Sequence, residues 1–415
     1  MRFIHTADIH LDSPLSGLAA RAGERARDLV GATRRAFTGM IDFAVEQAVD
    51  FVVIAGDLYD GDWRDFSTGL FFAEGMARLE HTGIRVALVK GNHDAENTMT
   101  RSLTLPPNVH VFRSDRAETV RWDDLGVALH GRSYGQRAMR DNIAAGYPAP
   151  VPGLLNVGVL HTAADGRPGH EPYAPCALTE LAAKGYAYWA LGHVHAREVL
   201  NERPWIVFPG NLQGRHANET GPKGFTLVTA DAGDVAAVEH VDADVVRWAR
   251  VTVDIGGCGG LDDICEQARA ALGTALEEAG RRTLAVRLTL AGRGATHRAL
   301  VNDPERVAAE CAVAAARAGG DVWIEKVELR TSEPEAGAAT LPDAFGELLR
   351  VVEEVRADPA EHDAVRAELD ALLSRMPHAV RAEAGLEELD DALLSAVLED
   401  ARAIVLGRLG GEGAP

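Results

Sequence analysis

Phe51-Val52-Val53-Ile54-Ala55-Gly56-Asp57 is the stretch that decides the fold of this chain. Five apolar residues in a row, several of them β-branched, predict a strand that is buried on both faces. Gly56 lets the backbone turn at the strand end, and Asp57 then carries a carboxylate able to bridge two cations. A strand that leads into a metal ligand indicates an α/β protein with a site at the carboxyl edge of a sheet.

Further motifs repeat this arrangement on either side of the stretch. An apolar, β-rich run leads into each of them: Asp8-Ile9-His10, Gly91-Asn92-His93-Asp94, His161 after residues 155–160, and Gly192-His193-Val194-His195. Because parallel strands end at one edge of a sheet, we expect the ligands to converge: Asp8, His10, Asp57, Asn92, His161, His193 and His195. Within Asp8-Ile9-His10 and His193-Val194-His195, extended backbone would point residues i and i+2 the same way, toward one ion.

The side chains in these motifs suit a pair of divalent cations. Oxygen and nitrogen donors without nearby cysteine favour Mn²⁺, Fe²⁺ or Zn²⁺ over Ca²⁺ and disfavour a structural zinc site. Two ions roughly 3.5–4 Å apart can stabilise charge on both the attacking and the leaving oxygen of a phosphate ester. His93, next to the ligand Asn92, is the candidate to orient the phosphate or to protonate the leaving oxygen, and Asp94 to support the loop or the imidazole.

Two histidine-containing segments leave alternatives open. A single histidine at a strand end, such as His161, is also typical of a structural residue; we include it because the other motifs leave the second ion one nitrogen short. Arg215 and His216, in the segment 209–216 that follows the site closely, are candidates for contact with a phosphate of the substrate.

The order of predicted elements divides the chain into three parts. Strands and helices alternate early, and strands without helices follow residue 200, which predicts an α/β sandwich for residues 1–242. A β-α-β-α-β module follows over 243–333. Residues 334–415 show helical periodicity and form an acidic tail that either covers the other domains or binds a partner helix. Segment 256–260 lacks the spacing and the Lys-Ser/Thr of a phosphate loop, so ATP hydrolysis would need another polypeptide.

Composition narrows the functional classes. The 415 residues have a net charge of −20, and about half of this excess lies in residues 341–415. Such a balance argues against non-specific nucleic-acid binding over the whole surface but permits a local basic groove. No apolar run approaches the roughly 20 residues that span a bilayer, and the N-terminus does not resemble a signal peptide, so we expect no membrane association and a cytoplasmic protein.

The ordered motifs resemble those of the calcineurin-like metallophosphoesterase superfamily. More closely, three segments resemble the YhaO branch of SbcD-type DNA repair exonucleases: His5-Thr6-Ala7-Asp8-Ile9-His10-Leu11-Asp12-Ser13-Pro14, Tyr188-Trp189-Ala190-Leu191-Gly192-His193-Val194-His195 and Pro209-Gly210-Asn211-Leu212-Gln213-Gly214-Arg215-His216. The resemblance implies a metallophosphoesterase β-sandwich flanked by helices, a cap domain, and a di-manganese nuclease acting on DNA. It also implies a helical C-terminal element that docks on the coiled coil of an SMC-like ATPase; the oligomeric state, a homodimer included, stays open.

Carried over by position, the resemblance assigns the ligands. It places Asp8, His10, Asp57 and His195 on one ion, and Asp57, Asn92, His161 and His193 on the other. It makes His93 catalytic. Some relatives have a second catalytic histidine shortly after the bridging aspartate. This chain has Asp60 near that position, and Asp60 is a candidate catalytic residue together with His93.

Two alternative functions remain. The same metal centre would serve a phosphomonoesterase or a cyclic-nucleotide phosphodiesterase, although Asp60-Gly61-Asp62 replaces the Asp-Arg-Gly expected of the Ser/Thr phosphatase branch. The other is a scaffold that only recruits an ATPase. An intact His93 argues against it, because a structural site gains nothing from an additional imidazole. Cleavage polarity, strand preference and the native metal are not readable from the sequence.

Overall fold

The fold was analysed in a computed structural model of the chain. It describes residues 1–13, 31–60, 66–96, 104–165, 173–231, 233–280 and 282–334, and in the tail residues 350, 354, 358–376, 381, 386, 390–391, 393–395, 397–398 and 401. The described residues form two compact units. The first contains the described residues of Met1–Arg250, Thr274–Arg287 and Gly320–Glu325, and the second contains those of Val251–Gly273, Leu288–Gly319 and Lys326–Pro415.

Fifteen strands and eight α-helices are found within the described ranges. The strands are β1 Arg2–Thr6, β2 Phe51–Ala55, β3 Arg85–Val89, β4 Val109–Val111, β5 Glu118–Trp122, β6 Val127–Gly131, β7 Leu155–His161, β8 Tyr188–Gly192, β9 Glu198–Glu202, β10 Trp205–Phe208, β11 Gly224–Asp231, β12 Asp234–Asp242, β13 Val246–Asp254, β14 Thr283–Arg293 and β15 Val322–Ser332. The helices are α1 Ala32–Glu46, α2 Phe66–His81, α3 Asn92–Glu96, α4 Leu178–Ala183, α5 Leu261–Ala279, α6 His297–Asn302, α7 Pro304–Ala316 and α8 Pro359–Leu373.

Two six-stranded sheets form the sandwich that the alternation of elements predicts. Their strand orders are β12-β11-β1-β2-β3-β4 and β5-β6-β7-β8-β10-β9. In the first sheet β1 to β4 are parallel and β11 and β12 antiparallel; in the second, β6, β7, β8 and β10 are parallel. The predicted α/β class is confirmed.

Strand β2 shows why the sheets pack face to face. All five of its residues are buried. Val52 and Ile54 point into a core shared with α1 and α2, whereas Phe51 and Val53 point into a core between the two sheets. Because side chains alternate across a strand, an apolar run without polar interruption can serve both cores at once. A third core covers the outer face of the second sheet around Trp189.

The later part of the chain follows the predicted order of elements. Strands β13, β14 and β15 form a three-stranded sheet. Along the chain, α5 connects β13 to β14, and α6 and α7 connect β14 to β15. Trp248 packs with Val246 and Ala285 inside the first compact unit, and its indole N–H donates to the Gly214 carbonyl oxygen (3.0 Å). The three-domain division with boundaries at 242 and 333 stays a prediction.

The tail is described only in part. Helix α8 lies in the region where helical periodicity was expected. The tail segments 335–349 and 402–415 lie outside the described residues, as do shorter stretches between them. Each helix in the described ranges is too short or too polar to cross a membrane.

Candidate metal centre

The predicted ligands come together where the central strands of both sheets end. Asp8 follows β1, Asp57 follows β2 and Asn92 follows β3, while His161 ends β7 and His193 follows β8. Ligand atoms lie within 4.8 Å of one another in three groups: Asp57, His161 and His193; Asp8, His10 and His195; and His10, Asp60 and His93. The fold therefore brings the predicted side chains together, and their role as metal ligands stays a prediction.

The first group, with Asn92 added, is named the His161 cluster. Burial lowers the pKa of His161 to about 3, so the ring is neutral and carries one N–H. That hydrogen is on Nδ1, which donates to the backbone oxygen of Ala55 (2.9 Å), and Nε2 therefore carries a lone pair. That Nε2 lies 2.9 Å from Asn92 Oδ1 and 3.5 Å from Asp57 Oδ2. Three acceptors that face one another in a buried space repel unless a cation lies between them.

Asp8, His10 and His195 form the His195 cluster. The Nε2 atoms of His10 and His195 lie 3.3 Å apart. The Nδ1–H of His195 donates to Glu219 Oε1 (2.7 Å), so its Nε2 also carries a lone pair. Burial lowers the pKa of both rings, and His10 Nδ1 has no hydrogen-bond partner among the described residues. Neutral imidazoles are the form that binds divalent metals.

Two buried carboxylates, those of Asp8 and Asp57, also indicate cation sites. Asp8 and Asp57 are 1% and 2% exposed. Burial and the nearby charge of Asp57 raise the pKa of Asp8, and burial raises the pKa of Asp57. Desolvated carboxylates are costly unless a positive charge offsets them. With their histidine and amide donors, these residues fit two hard or borderline divalent cations, and Asp57 faces both clusters.

Close backbone approach brings the strand ends together. A Cβ on Gly192 would lie 2.0 Å from the Ala55 oxygen, one on Gly56 2.4 Å from His161 Nδ1, and one on Gly91 2.2 Å from Asp57 Oδ1. The glycines beside the ligands therefore allow the two sheets to converge. Asp94 holds the same region, since its carboxylate accepts from the backbone N–H groups of Tyr59 (3.0 Å) and Gly91 (3.0 Å), which agrees with the predicted loop-supporting role.

The expected extended geometry of the i, i+2 pairs is wrong. Asp8 and His10 have φ values of 49° and 45°, and His193 has 105°, so these residues leave the strand in left-handed conformations. His193 joins the His161 cluster and His195 the other one, rather than sharing an ion. Non-glycine residues with such torsions are uncommon and concentrate at functional sites, where surrounding contacts fix them.

His93 lies beside both clusters. Its Nδ1 is 3.0 Å from Asp60 Oδ1 and its Nε2 is 4.0 Å from Asp57 Oδ2, so Nε2 faces the candidate cations. Burial opposes protonation, but the carboxylates of Asp60 and Asp57 outweigh it and raise the pKa of His93. Asp60 also accepts from Ser13 Oγ (2.5 Å), and these bonds lower its pKa to about 2 against the effect of burial. Asp60 therefore contacts the Nδ1 side of His93, and its share in catalysis stays a prediction.

Arg215 and His216 differ in their surroundings. The Arg215 side chain is only 14% exposed, and its guanidinium lies between Glu219 Oε1 (3.3 Å) and Asp60 Oδ2 (3.7 Å). This placement favours an internal role over the predicted phosphate contact. The His216 ring is 51% exposed, with Nε2 3.5 Å from Glu219 Oε1. Its phosphate contact stays a prediction.

Two residues at the centre escaped sequence reasoning. Glu219, 6% exposed, accepts from His195, and Tyr134 donates from its hydroxyl to the His161 carbonyl oxygen (2.8 Å). Glu219 lies in a loop without periodicity and Tyr134 follows β6, which carries no ligand. The sequence held no signal for Tyr134 and only a weak one for Glu219, an acid four residues after Arg215.

Two known protein families match successive parts of this chain. Residues 1–197 match the family described as calcineurin-like phosphoesterase, and residues 248–332 match the one described as metallophosphoesterase YhaO, middle domain. The chain therefore contains a calcineurin-like metallophosphoesterase domain followed by a YhaO-type middle domain. The predicted membership is confirmed, and the site lies within the first of these domains.

Individual relatives agree with this assignment. The uncharacterized metallophosphoesterase YhaO of Bacillus subtilis is 38% identical over 259 residues, which cover 61% of this chain and 63% of that protein. The DNA double-strand break repair proteins Mre11 of Methanopyrus kandleri and Haloferax volcanii are 27% and 26% identical, over 60% and 65% of this chain and 58% of each relative. The alignments thus span about three fifths of these relatives' own lengths.

Proposed function

We propose that this chain is a metal-dependent nuclease that hydrolyses phosphodiester bonds in DNA, with two Mn²⁺ ions as its cofactors. The observation that carries the proposal is the pair of lone-pair-rich clusters that Asp57 faces from one side, with His93 Nε2 beside them. Ions in these positions would lower the pKa of a water molecule and neutralise charge on the phosphate oxygens. The mixed carboxylate, amide and imidazole donors suit Mn²⁺ as well as Fe²⁺ and Zn²⁺, and Mn²⁺ is chosen because it is the ion that the resemblance implies.

The residues of the chain have distinct tasks in this proposal. Asp57, Asn92, His161 and His193 hold one ion, and Asp8, His10, Asp57 and His195 hold the other. His93 offers Nε2 to a phosphate oxygen or to the leaving oxygen, while its Nδ1 is fixed by Asp60 (3.0 Å). A fixed imidazole contributes about 10²- to 10⁴-fold in general acid catalysis. His216, on the open side of the loop, is the proposed contact to a more distant phosphate.

DNA is the proposed substrate because the curated relatives include proteins named for double-strand break repair. In this interpretation the net charge of −20 restricts DNA to a local surface at the site. The proposed partner is an SMC-like ATPase that binds the acidic tail, of which α8 is the described helix. A cytoplasmic location and a homodimer remain predictions.

Hydrolysis of defined substrates tests the function. Purified chain with Mn²⁺ should degrade linear DNA and a phosphodiester such as bis(p-nitrophenyl) phosphate, and a chelator should abolish both activities. Cleavage of p-nitrophenyl phosphate alone would identify a phosphomonoesterase instead. Binding of metal without any hydrolysis would identify the scaffold alternative.

The partner is tested separately. Removal of the residues after Leu341 should leave hydrolysis by the isolated chain within about twofold, because the candidate centre lies within residues 8–195. The same truncation should abolish co-purification with a co-expressed SMC-like ATPase. Retained co-purification would contradict docking through the tail.

A further inference from the structure

Glu219 is almost saturated by hydrogen bonds, all of which come from the neighbourhood of the candidate centre. Its carboxylate accepts from His195 Nδ1 (2.7 Å), the Arg215 backbone N–H (2.7 Å), Asn211 Nδ2 (2.8 Å) and Arg215 Nη2 (3.3 Å). A carboxylate has about four lone-pair positions. Since four donors approach it, the orientation of the Glu219 side chain is fixed on all sides.

The hydrogen bonds of this carboxylate determine the tautomer of His195. Oε2 accepts from the Arg215 backbone N–H (2.7 Å) and Asn211 Nδ2 (2.8 Å), and Oε1 lies 3.3 Å from Arg215 Nη2, so groups that can only donate approach both oxygens. Glu219 is therefore the acceptor in the 2.7 Å contact, and the hydrogen belongs to His195 Nδ1. The Nε2 lone pair then faces His10 and Asp8.

Arg215 lies between Glu219, which contacts His195, and Asp60, which contacts His93. Its Nη2 lies 3.3 Å from Glu219 Oε1, and its Nη1 lies 3.7 Å from Asp60 Oδ2 and 3.4 Å from Ser13 Oγ. Asp60 in turn holds Nδ1 of His93 (3.0 Å). One guanidinium therefore lies between two carboxylates, each of which holds the Nδ1 side of a different histidine.

We propose that Glu219 and Arg215 are positioning residues: Glu219 fixes His195 as a metal ligand, and Arg215 joins Glu219 to Asp60, which fixes His93. The assignment rests on the proposed di-metal function and adds a coupling between one cation position and the catalytic histidine. The His161 cluster is independent of this network, because His161 is oriented by the backbone oxygen of Ala55.

The test is a Mn²⁺ titration of the full chain by isothermal calorimetry and electron paramagnetic resonance, comparing Glu219→Gln with the parent. Glutamine can donate to Nδ1 and shift the hydrogen of His195 to Nε2, so affinity at one of the two sites should fall about 10- to 100-fold while the other is unchanged. Glu118→Gln is the matched control, since Glu118 also pairs with a histidine, His110 Nε2 (3.2 Å), on the edge strands of the sandwich. It should leave both affinities unchanged.

Arg215→Lys provides a second variant with its charge retained. A single ammonium cannot reproduce a planar group between two carboxylates, so kcat should fall about tenfold with a smaller loss of metal affinity than in Glu219→Gln. Unchanged affinities in a folded Glu219→Gln chain, or equal losses at both sites, would overturn the proposal. If Glu219→Gln does not fold, an Arg215→Lys chain with unchanged kcat would overturn it. Absence of Mn²⁺ binding in the parent chain would instead contradict the proposed function.

Discussion

The two halves of the candidate centre are built by different means. In the His161 cluster, the histidine is oriented by a backbone oxygen of β2 (Ala55, 2.9 Å), and the ligands stand directly at strand ends. In the His195 cluster, the histidine is oriented by a side chain, Glu219, from the loop between β10 and β11 (2.7 Å). One half is thus fixed by the sheets themselves, and the other depends on a loop network that single substitutions can remove.

This difference indicates which residues can be substituted to change cation binding while the fold is retained. A backbone acceptor cannot be removed by mutation of its side chain, whereas a carboxylate can. Substitutions in the loop network should therefore change one cation position selectively. Changes at shared residues, or at the convergence of the strands, should affect both clusters together.

The largest effect should come from Asp57→Asn, which removes the charge that both clusters share. Asp57 Oδ2 lies 3.5 Å from His161 Nε2 and 3.9 Å from His10 Nε2. Loss of cation binding would remove several kcal/mol of transition-state stabilisation, so DNA hydrolysis should fall about 10⁴-fold. Metal content by plasma mass spectrometry should drop below one per chain. A variant that keeps two ions would show that Asp57 does not serve both clusters.

His93→Ala should separate catalysis from binding. Because Asp60 holds Nδ1 of the His93 ring (3.0 Å) and Nε2 stays 4.0 Å from Asp57 Oδ2, metal content should stay near that of the parent while kcat falls about 10²- to 10³-fold. Single-turnover hydrolysis and metal analysis of the same sample provide the comparison. Loss of one ion together with activity would make His93 a ligand, consistent with the third group of donors around His10.

Gly192→Ala should destabilise the convergence of the sheets on which both clusters depend. The added Cβ would meet the Ala55 oxygen at 2.0 Å, and neither atom belongs to a flexible side chain. We expect a loss of about 1–3 kcal/mol in the free energy of unfolding, measured by urea denaturation. An unchanged free energy would mean that β8 can move away from β2 without cost.

Gly39→Ala is the matched control and should have the smallest effect. Gly39 lies on the exposed face of α1, where an added Cβ meets nothing within 4 Å. Alanine costs less conformational entropy in a helix, so the free energy of unfolding should rise by about 0.5–1 kcal/mol. Activity and metal affinity should not change, and a decrease in stability would contradict the description of this helix face.

The sequence predicted the members of both clusters, but it did not predict Glu219, which orients His195. Apolar runs such as residues 51–55 define buried strands by composition alone, and a polar residue just after such a run must lie at the sheet edge. The pairing of the strands into two sheets was not readable, because it depends on contacts between distant residues. Short strands such as β4 and β9 were also missed, since their residues are only partly buried.

Backbone conformation and loop contacts could not be predicted from the sequence either. The left-handed torsions of Asp8, His10 and His193 are imposed by packing around the strand ends and leave no pattern in the sequence. Glu219 acquires its role only because the loop after β10 returns to His195. Such contacts depend on tertiary structure, so sequence reasoning did not predict the contacts of Arg215 with Glu219.

A crystal structure grown with Mn²⁺, with anomalous diffraction data at the manganese edge, tests the central claim most directly. We expect two anomalous peaks, one among Asp57, Asn92, His161 and His193 and the other among Asp8, His10, Asp57 and His195. A single peak between His10, Asp60 and His93, or no peak at this edge of the sheets, would contradict the account.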